Sequence, residues 1–172
     1  MFYFGRANHE IKDKDIENAH SMIVNSDFIV TQFETPCVQA IHAFKIAKKA
    51  GVTTILNPAP AHENVDSELL QNVDLIVPNE TEAEILTEIK VTDELTAHEA
   101  ASRLQELGTK NVIITLGAKE AYSKTADNHE KLIKVFKVNA VDTTAAGDTF
   151  LGALIYCSSK NRSDPINSYY KE

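Results

Sequence analysis

The chain has 172 residues, 43% of them hydrophobic and 24% charged, with a formal net charge of -8. One domain's worth of sequence with enough apolar residues for a core excludes a disordered tail, a collagen-like repeat and a disulfide-stapled miniprotein. The acidic balance argues against a dedicated nucleic-acid binder, which needs a basic face to release counterions, but permits an anion site built from backbone N–H groups.

Strand and helix signals alternate along the chain. Residues 27–33 read as a strand. Thr35 then offers an N-cap and Pro36 a first helical residue, and Cys37, Ile41 and Phe44 share one apolar helix face. Gly51 falls where a helix ends in the left-handed conformation. Residues 52–56 predict a second strand, running into Asn57-Pro-Ala-Pro-Ala61, which suits neither helix nor strand. Residues 74–77 form a short strand stopped by Pro78. Asn79 opens a helix, with Glu82 three residues on as its capping partner. Thr96 and Glu99 read as the capping box of the next helix. Its buried face is Ala97, Ala100, Ala101, Leu104 and Leu107, and Gly108 ends it. Residues 111–115 predict a strand closed by Leu116 and Gly117. Residues 132–138 alternate as an antiparallel or edge strand does. Residues 141–148 are a loop of small residues, and 149–157 are apolar nearly all round, which predicts a buried helix.

Alternating strands and helices with short connections imply an α/β fold, a mostly parallel sheet with helices on both faces. Ligands bind such sheets beyond the carboxyl ends of the strands. That places the polar clusters at 32–34, 57–61, 79–82, 115–120 and 142–148 on one rim. Cys37 and Cys157 form no motif and read as buried small hydrophobes in a reducing compartment. No run of 18 apolar residues and no signal-peptide pattern is visible, so the expected location is the cytoplasm, with no membrane partner. The six histidines lack metal-ligand spacing and read as surface or packing residues. Lys119 and Lys124 are either solvated or close enough to the 115–120 loop to touch a phosphate.

The most informative stretch is Val141-Asp-Thr-Thr-Ala-Ala-Gly-Asp-Thr-Phe150. Ala145, Ala146 and Gly147 carry little bulk ahead of a helix, so successive N–H groups can converge on an anion at the positive end of its dipole. Asp148 sits inside that site. It reads either as a general base for a hydroxyl attacking a phosphoryl group or as a carboxylate that favours the first helical turn.

This stretch resembles the signature of the ribokinase (phosphofructokinase-B) family of sugar kinases. Gln32-Phe-Glu34, Leu56-Asn-Pro-Ala-Pro-Ala61, Val77-Pro-Asn-Glu-Thr-Glu-Ala-Glu84 and Ile113-Ile-Thr-Leu-Gly-Ala-Lys119 agree in order and spacing. The resemblance implies a ribokinase-like fold and ATP-dependent phosphorylation of the 5-hydroxyl of D-ribose, giving ribose 5-phosphate. It implies Asp148 as the base and Ala145, Ala146 and Gly147 as the anion hole. Asn79, Thr115, Leu116, Gly117, Ala118, Lys119, Glu120, Gly147 and Asp148 would contact ATP. Glu34 and Asp148 would contact the sugar. Glu82 would organise Mg²⁺ through water, and Asp142 and Thr144 would belong to a site for an activating K⁺. From the residues alone, Glu82 also fits a plain capping box and Glu34 a solvated strand end.

Two departures qualify the resemblance. The family's glycine-rich sugar-gripping segment and its lid are absent, as is the homodimer contact that the lid can make. Residues 158–172 are polar and lack the periodicity of the family's last helices. The expected organisation is thus a partial α/β domain over residues 1–157 and a polar tail over 158–172. A catalytically inactive fragment or a nucleotide-binding module of the same fold is the alternative to a working kinase.

Overall fold

The computed structural model describes residues 7–117, 120–134 and 145–160. A single 3₁₀ turn, Asn8–Glu10, leads into helices α1 (Asp13–Asn18) and α2 (His20–Val24). There follow β1 (Phe28–Gln32), α3 (Cys37–Lys49), β2 (Thr53–Asn57), α4 (Ser67–Gln71), β3 (Leu75–Ile76), α5 (Glu80–Thr87) and α6 (Glu94–Glu106). The chain continues through β4 (Asn111–Leu116), β5 (Glu120–Lys124), β6 (Glu130–Lys134) and α7 (Ala146–Lys160).

The six strands form one sheet in chain order. Strands β1 to β4 run parallel, and β5 and β6 add an antiparallel hairpin at the far edge. This order dictates the layers. Every parallel crossover steps in the same direction, and right-handed crossovers stepping one way stack on one face. That face carries α3, α4, α5 and α6 over Leu56, Ile76, Val112, Ile114 and Leu116, with Phe44, Leu69 and Leu104 fully buried between. The opposite face, with Ile55, Leu75, Val77, Ile113 and Ala121, is covered by α7 through Leu151 and Leu154. Helices therefore lie on both faces, as expected, but unequally. A smaller cluster seats α2 on the back of α3 through Ile23, Ala43 and Ala47.

Several local expectations are corrected. Pro36 is the N-cap of α3 rather than its first residue, and the Thr35 hydroxyl turns back to the Gln32 carbonyl. Helix α6 begins three residues early, because Asp93 accepts from the Thr96 N–H as N-cap. Gly108 does end that helix, at φ +121°, and a Cβ there would strike Gln71 at 2.8 Å. Strand β5 has no apolar alternation to announce it. It pairs because β4 and β6 flank it, and it buries Tyr122, Ser123 and Lys124. Lys124 is accordingly neither solvated nor a phosphate ligand, since it bonds Ser102 and Glu130. Helix α7 is not buried all round. Leu151, Leu154 and Ser158 face the sheet, while Tyr156 is 64% exposed and Cys157 is exposed. Cys37 is half-buried. Both cysteines thus depart from the buried reading.

The amino end of the sheet is closed by charge. Asp74 accepts from the Thr54 backbone and hydroxyl at 3.0 Å each, and from Lys110 at 2.8 Å and Lys48 at 3.2 Å. Burial pushes its pKa up, but the Lys110 ammonium, the Thr54 N–H and the Lys48 charge outweigh burial and hold the carboxyl below its ordinary value. On the hairpin, burial likewise opposes ionisation of Glu130, but Tyr122, Lys124 and His98 bring it down from 4.5 to about 2. Both carboxylates bind protons more weakly folded than unfolded, so their stabilisation is present above the unfolded values and is lost in acid. The thermal midpoint, followed by circular dichroism, should fall between pH 4.5 and about 2. Glu130→Gln should flatten that fall, and an equal fall in the variant would show that the hairpin network is not its source.

Among the described residues no strand pairs with the outer edge of β1, where Val30 is 40% exposed. An open edge beside apolar surface favours association. Sedimentation velocity should show species heavier than 19.0 kDa, and Val30→Lys should shift them toward monomer. A wild-type chain that stays monomeric at high concentration would refute this.

Candidate active site

Strand parity decides which side chains reach the site. Successive residues of a strand point to opposite faces. Phe28 packs on the α7 side of the sheet, so Val30 and Gln32 point there too. The β1–β2 register sets Gln32 opposite Asn57, and Thr115 shares that face with Ile113. Three strand ends thus aim polar groups at the start of α7.

The chain then turns sharply at each rim position. After β3, Asn79 caps α5. Its Oδ1 accepts from the Glu82 N–H, and Glu82 Oε2 accepts from the Asn79 N–H, both at 2.9 Å. Burial raises the Glu82 pKa against the opposing pull of these Asn79 contacts. A parallel bridge sets Asn79 beside Thr115, with the Thr115 N–H donating to the Pro78 carbonyl at 2.9 Å. Gly117 follows β4 at φ +58°, a left-handed backbone that glycine adopts without strain.

Ala145 carries the other end of the site. It too is left-handed, at φ +58°, immediately before the first residue of α7. A left-handed residue followed by right-handed ones turns successive N–H groups toward one point, the concavity that binds anions. An alanine held there is under modest strain. At Gly147 a Cβ would meet nothing within 4 Å, so the space beside it is open. Asp148, in the first turn, is exposed.

Two grooves meet here. One is lined by Asn79, Glu82, Thr115, Ala145, Gly147 and Asn57. The second runs between β1 and α7, lined by Asn8, Val30, Thr31, Thr35, Gly152 and Ile155. Gln32, Glu34, Asp148 and Leu151 line both, so Asp148 stands on the boundary between them. Neither Leu116 nor Glu120 lines either groove. Both border a separate acidic recess with Glu80 and Asp93. Ala118, Lys119, Asp142 and Thr144 lie outside the described residues. The 32–34, 57–61, 79–82, 115–120 and 142–148 clusters thus each send at least one described residue to the shared rim. Gln32 and Asn57 belong to the rim clusters read from strand ends but match no ligand role in the resemblance, and Asn8 is brought to the second groove by the tertiary structure alone.

A model of the pfkB family of carbohydrate kinases matches residues 1–165. The chain belongs to this family. It is 47% identical to a ribokinase of Staphylococcus aureus (strain COL) over 95% of its own length and 53% of that protein's. It is 43% identical to the ribokinase of Haemophilus influenzae over 91% of its length and 51% of that protein's. The structure of Arabidopsis thaliana ribokinase complexed with ribose and ATP superimposes with a TM-score of 0.79 at 30% identity, covering 89% of this chain and 50% of that one. The chain therefore has a partial ribokinase fold and spans about half the length of the curated relatives it matches. Among the described residues, no helix is long and apolar enough to cross a membrane.

Because the space beside Gly147 is open, Gly147→Ala should fold normally and gain helix propensity of up to about 1 kcal/mol. Its methyl group would project into the groove and crowd a phosphate. Calorimetric titration with ATP should show weaker binding at a melting temperature no lower than the wild type's. Unchanged affinity would remove Gly147 from the anion site.

Proposed function

We propose that this chain carries the phosphate-donor groove and the catalytic base of an ATP-dependent sugar kinase whose acceptor is D-ribose. The observation that carries the proposal is the position of Asp148 on the boundary between two grooves. One groove offers the backbone N–H groups of residues 145–147 at a helix N-terminus, suited to the γ-phosphate of ATP. The other is lined by Glu34, Thr31, Thr35 and Asn8, carboxylate, hydroxyl and amide groups suited to a polyol.

In this scheme a sugar lying in the second groove presents its 5-hydroxyl to Asp148. The carboxylate takes the hydroxyl proton as the sugar oxygen bonds to the γ-phosphorus. The bond from that phosphorus to the bridging oxygen breaks, and its electron pair leaves with ADP. The N–H groups of residues 145–147 meet the charge on the transferring phosphoryl. Asn79 and Thr115 hold the ATP phosphates in the first groove.

Glu82 fits a hydrated Mg²⁺, because it lines the first groove and the cap bond from the Asn79 N–H goes to its Oε2. When bound, the ion supplies neutralising charge at the phosphates. Asp142 and Thr144 are proposed for the activating K⁺ on the strength of the resemblance alone.

Titration of the chain with ATP and with ribose, beside an assay of ribose-dependent ADP release, separates this proposal from its alternative. Binding of ATP is expected, with ribose binding and turnover in the chain alone or complemented by the family segments it lacks. ATP binding without ribose binding or turnover would make the chain a nucleotide-binding module. Asp148→Asn should lower kcat by about 10²–10⁴-fold or more. Its ATP affinity should hold or tighten, because a negative charge beside the γ-phosphate is gone. Wild-type turnover in that variant would end the assignment of Asp148 as base.

A further inference from the structure

Gln32 has no part in the scheme above, yet its side chain reaches the centre of the site. Nε2 of Gln32 donates to Oδ1 of Asp148 at 3.2 Å, across 116 positions of sequence. Among the described residues, no other side chain is found bonded to that carboxylate.

The amide is delivered by a fixed element. Gln32 is the last residue of β1, locked in register opposite Asn57. Its carbonyl accepts from the Thr35 hydroxyl at 3.1 Å, and that hydroxyl bonds the Thr31 hydroxyl at 2.9 Å. The next residue, Phe33, donates its N–H to the Ala59 carbonyl at 3.0 Å. A strand end braced on both sides places a side chain more sharply than a loop does.

The residue type suits the task. A carboxylate can only accept, so the amide nitrogen faces it as donor. The amide is uncharged. A Lys or Arg here would pair with the base and depress its basicity, and a Glu would repel it and the phosphates beyond. An amide bond to Oδ1 restrains rotation of the carboxylate and leaves Oδ2 for the proton.

We propose that Gln32 is a positioning residue, which holds the Asp148 carboxylate with Oδ2 turned toward the acceptor hydroxyl. The proposal rests on Asp148 being the base. The step is the one written above, with the hydroxyl proton moving to Oδ2 as the sugar oxygen bonds to phosphorus and ADP departs.

The test compares Gln32→Leu, Asp148→Asn and the double variant in the full chain, with melting temperatures checked first. Misplacing a catalytic group by about 1 Å can cost about 10²-fold, so Gln32→Leu should lower kcat by about 10- to 100-fold. KM for ATP and for ribose should change far less than kcat, because the Gln32 amide is engaged with the base. In the Asp148→Asn background the same change should cost nothing further, whereas a general folding defect would multiply with it. Wild-type kcat in Gln32→Leu, or losses that multiply, would overturn the proposal. Wild-type kcat in Asp148→Asn would instead overturn the reading beneath it. Should the chain show no turnover, the side-chain amide ¹⁵N–¹H resonances of Gln32 decide. They should move strongly in Asp148→Asn, and resonances indifferent to that change would overturn the proposal.

Discussion

The handedness of the parallel crossovers governs this structure. With β1 to β4 in chain order, three successive right-handed connections must stack on the same side of the sheet. That side becomes a continuous core under α3 to α6, and among the described residues the other is covered by α7, which arrives only after the β5–β6 hairpin. Helix α7 lies on the face of parallel strands it does not connect. Its first turn, with Ala145 held left-handed before it, comes to the carboxyl rim where β1, β2 and β4 end. The site exists because a helix from late in the chain starts at the ends of strands from early in it.

The two ends of the sheet are built for different tasks. At the amino end, Asp74 is met by Thr54, Lys48 and Lys110, and the charge is consumed within the fold. At the carboxyl end, Asn79 and Glu82 satisfy each other in a cap, while Asp148 stays exposed and Gly147 faces open space. Such groups contribute little to folding, which frees them for a ligand. Among the described residues, the same uneven layering leaves the outer edge of β1 and the outer side of α7 uncovered, with Val30 and Tyr156 exposed.

Membership of the pfkB family fits this architecture. The rim is composed of residues from β1, β2, the start of α5, β4 and α7, all within the described part of this chain.

The sequence by itself determined the α/β class, the four parallel strands and the carboxyl rim as the place for polar clusters. Each of these follows from local pattern: apolar runs ended by Pro78 or Gly117, the Asn79–Glu82 cap, and the apolar face of α6. It also offers residues 145–148 as a candidate anion site with a carboxylate in it, since small residues before a helix carry that meaning locally. Local pattern failed where distant neighbours set the outcome. Strand β5 is a strand because β4 and β6 flank it, and Lys124 is buried because Glu130 and Ser102 meet it there. Helix α7 is apolar on a side that nothing among the described residues covers, so its composition overstated its burial. The bond from Gln32 to Asp148 was beyond any sequence pattern. It joins residues 116 positions apart, and it depends on the parity of one strand and the lie of one helix, which only the packed sheet fixes.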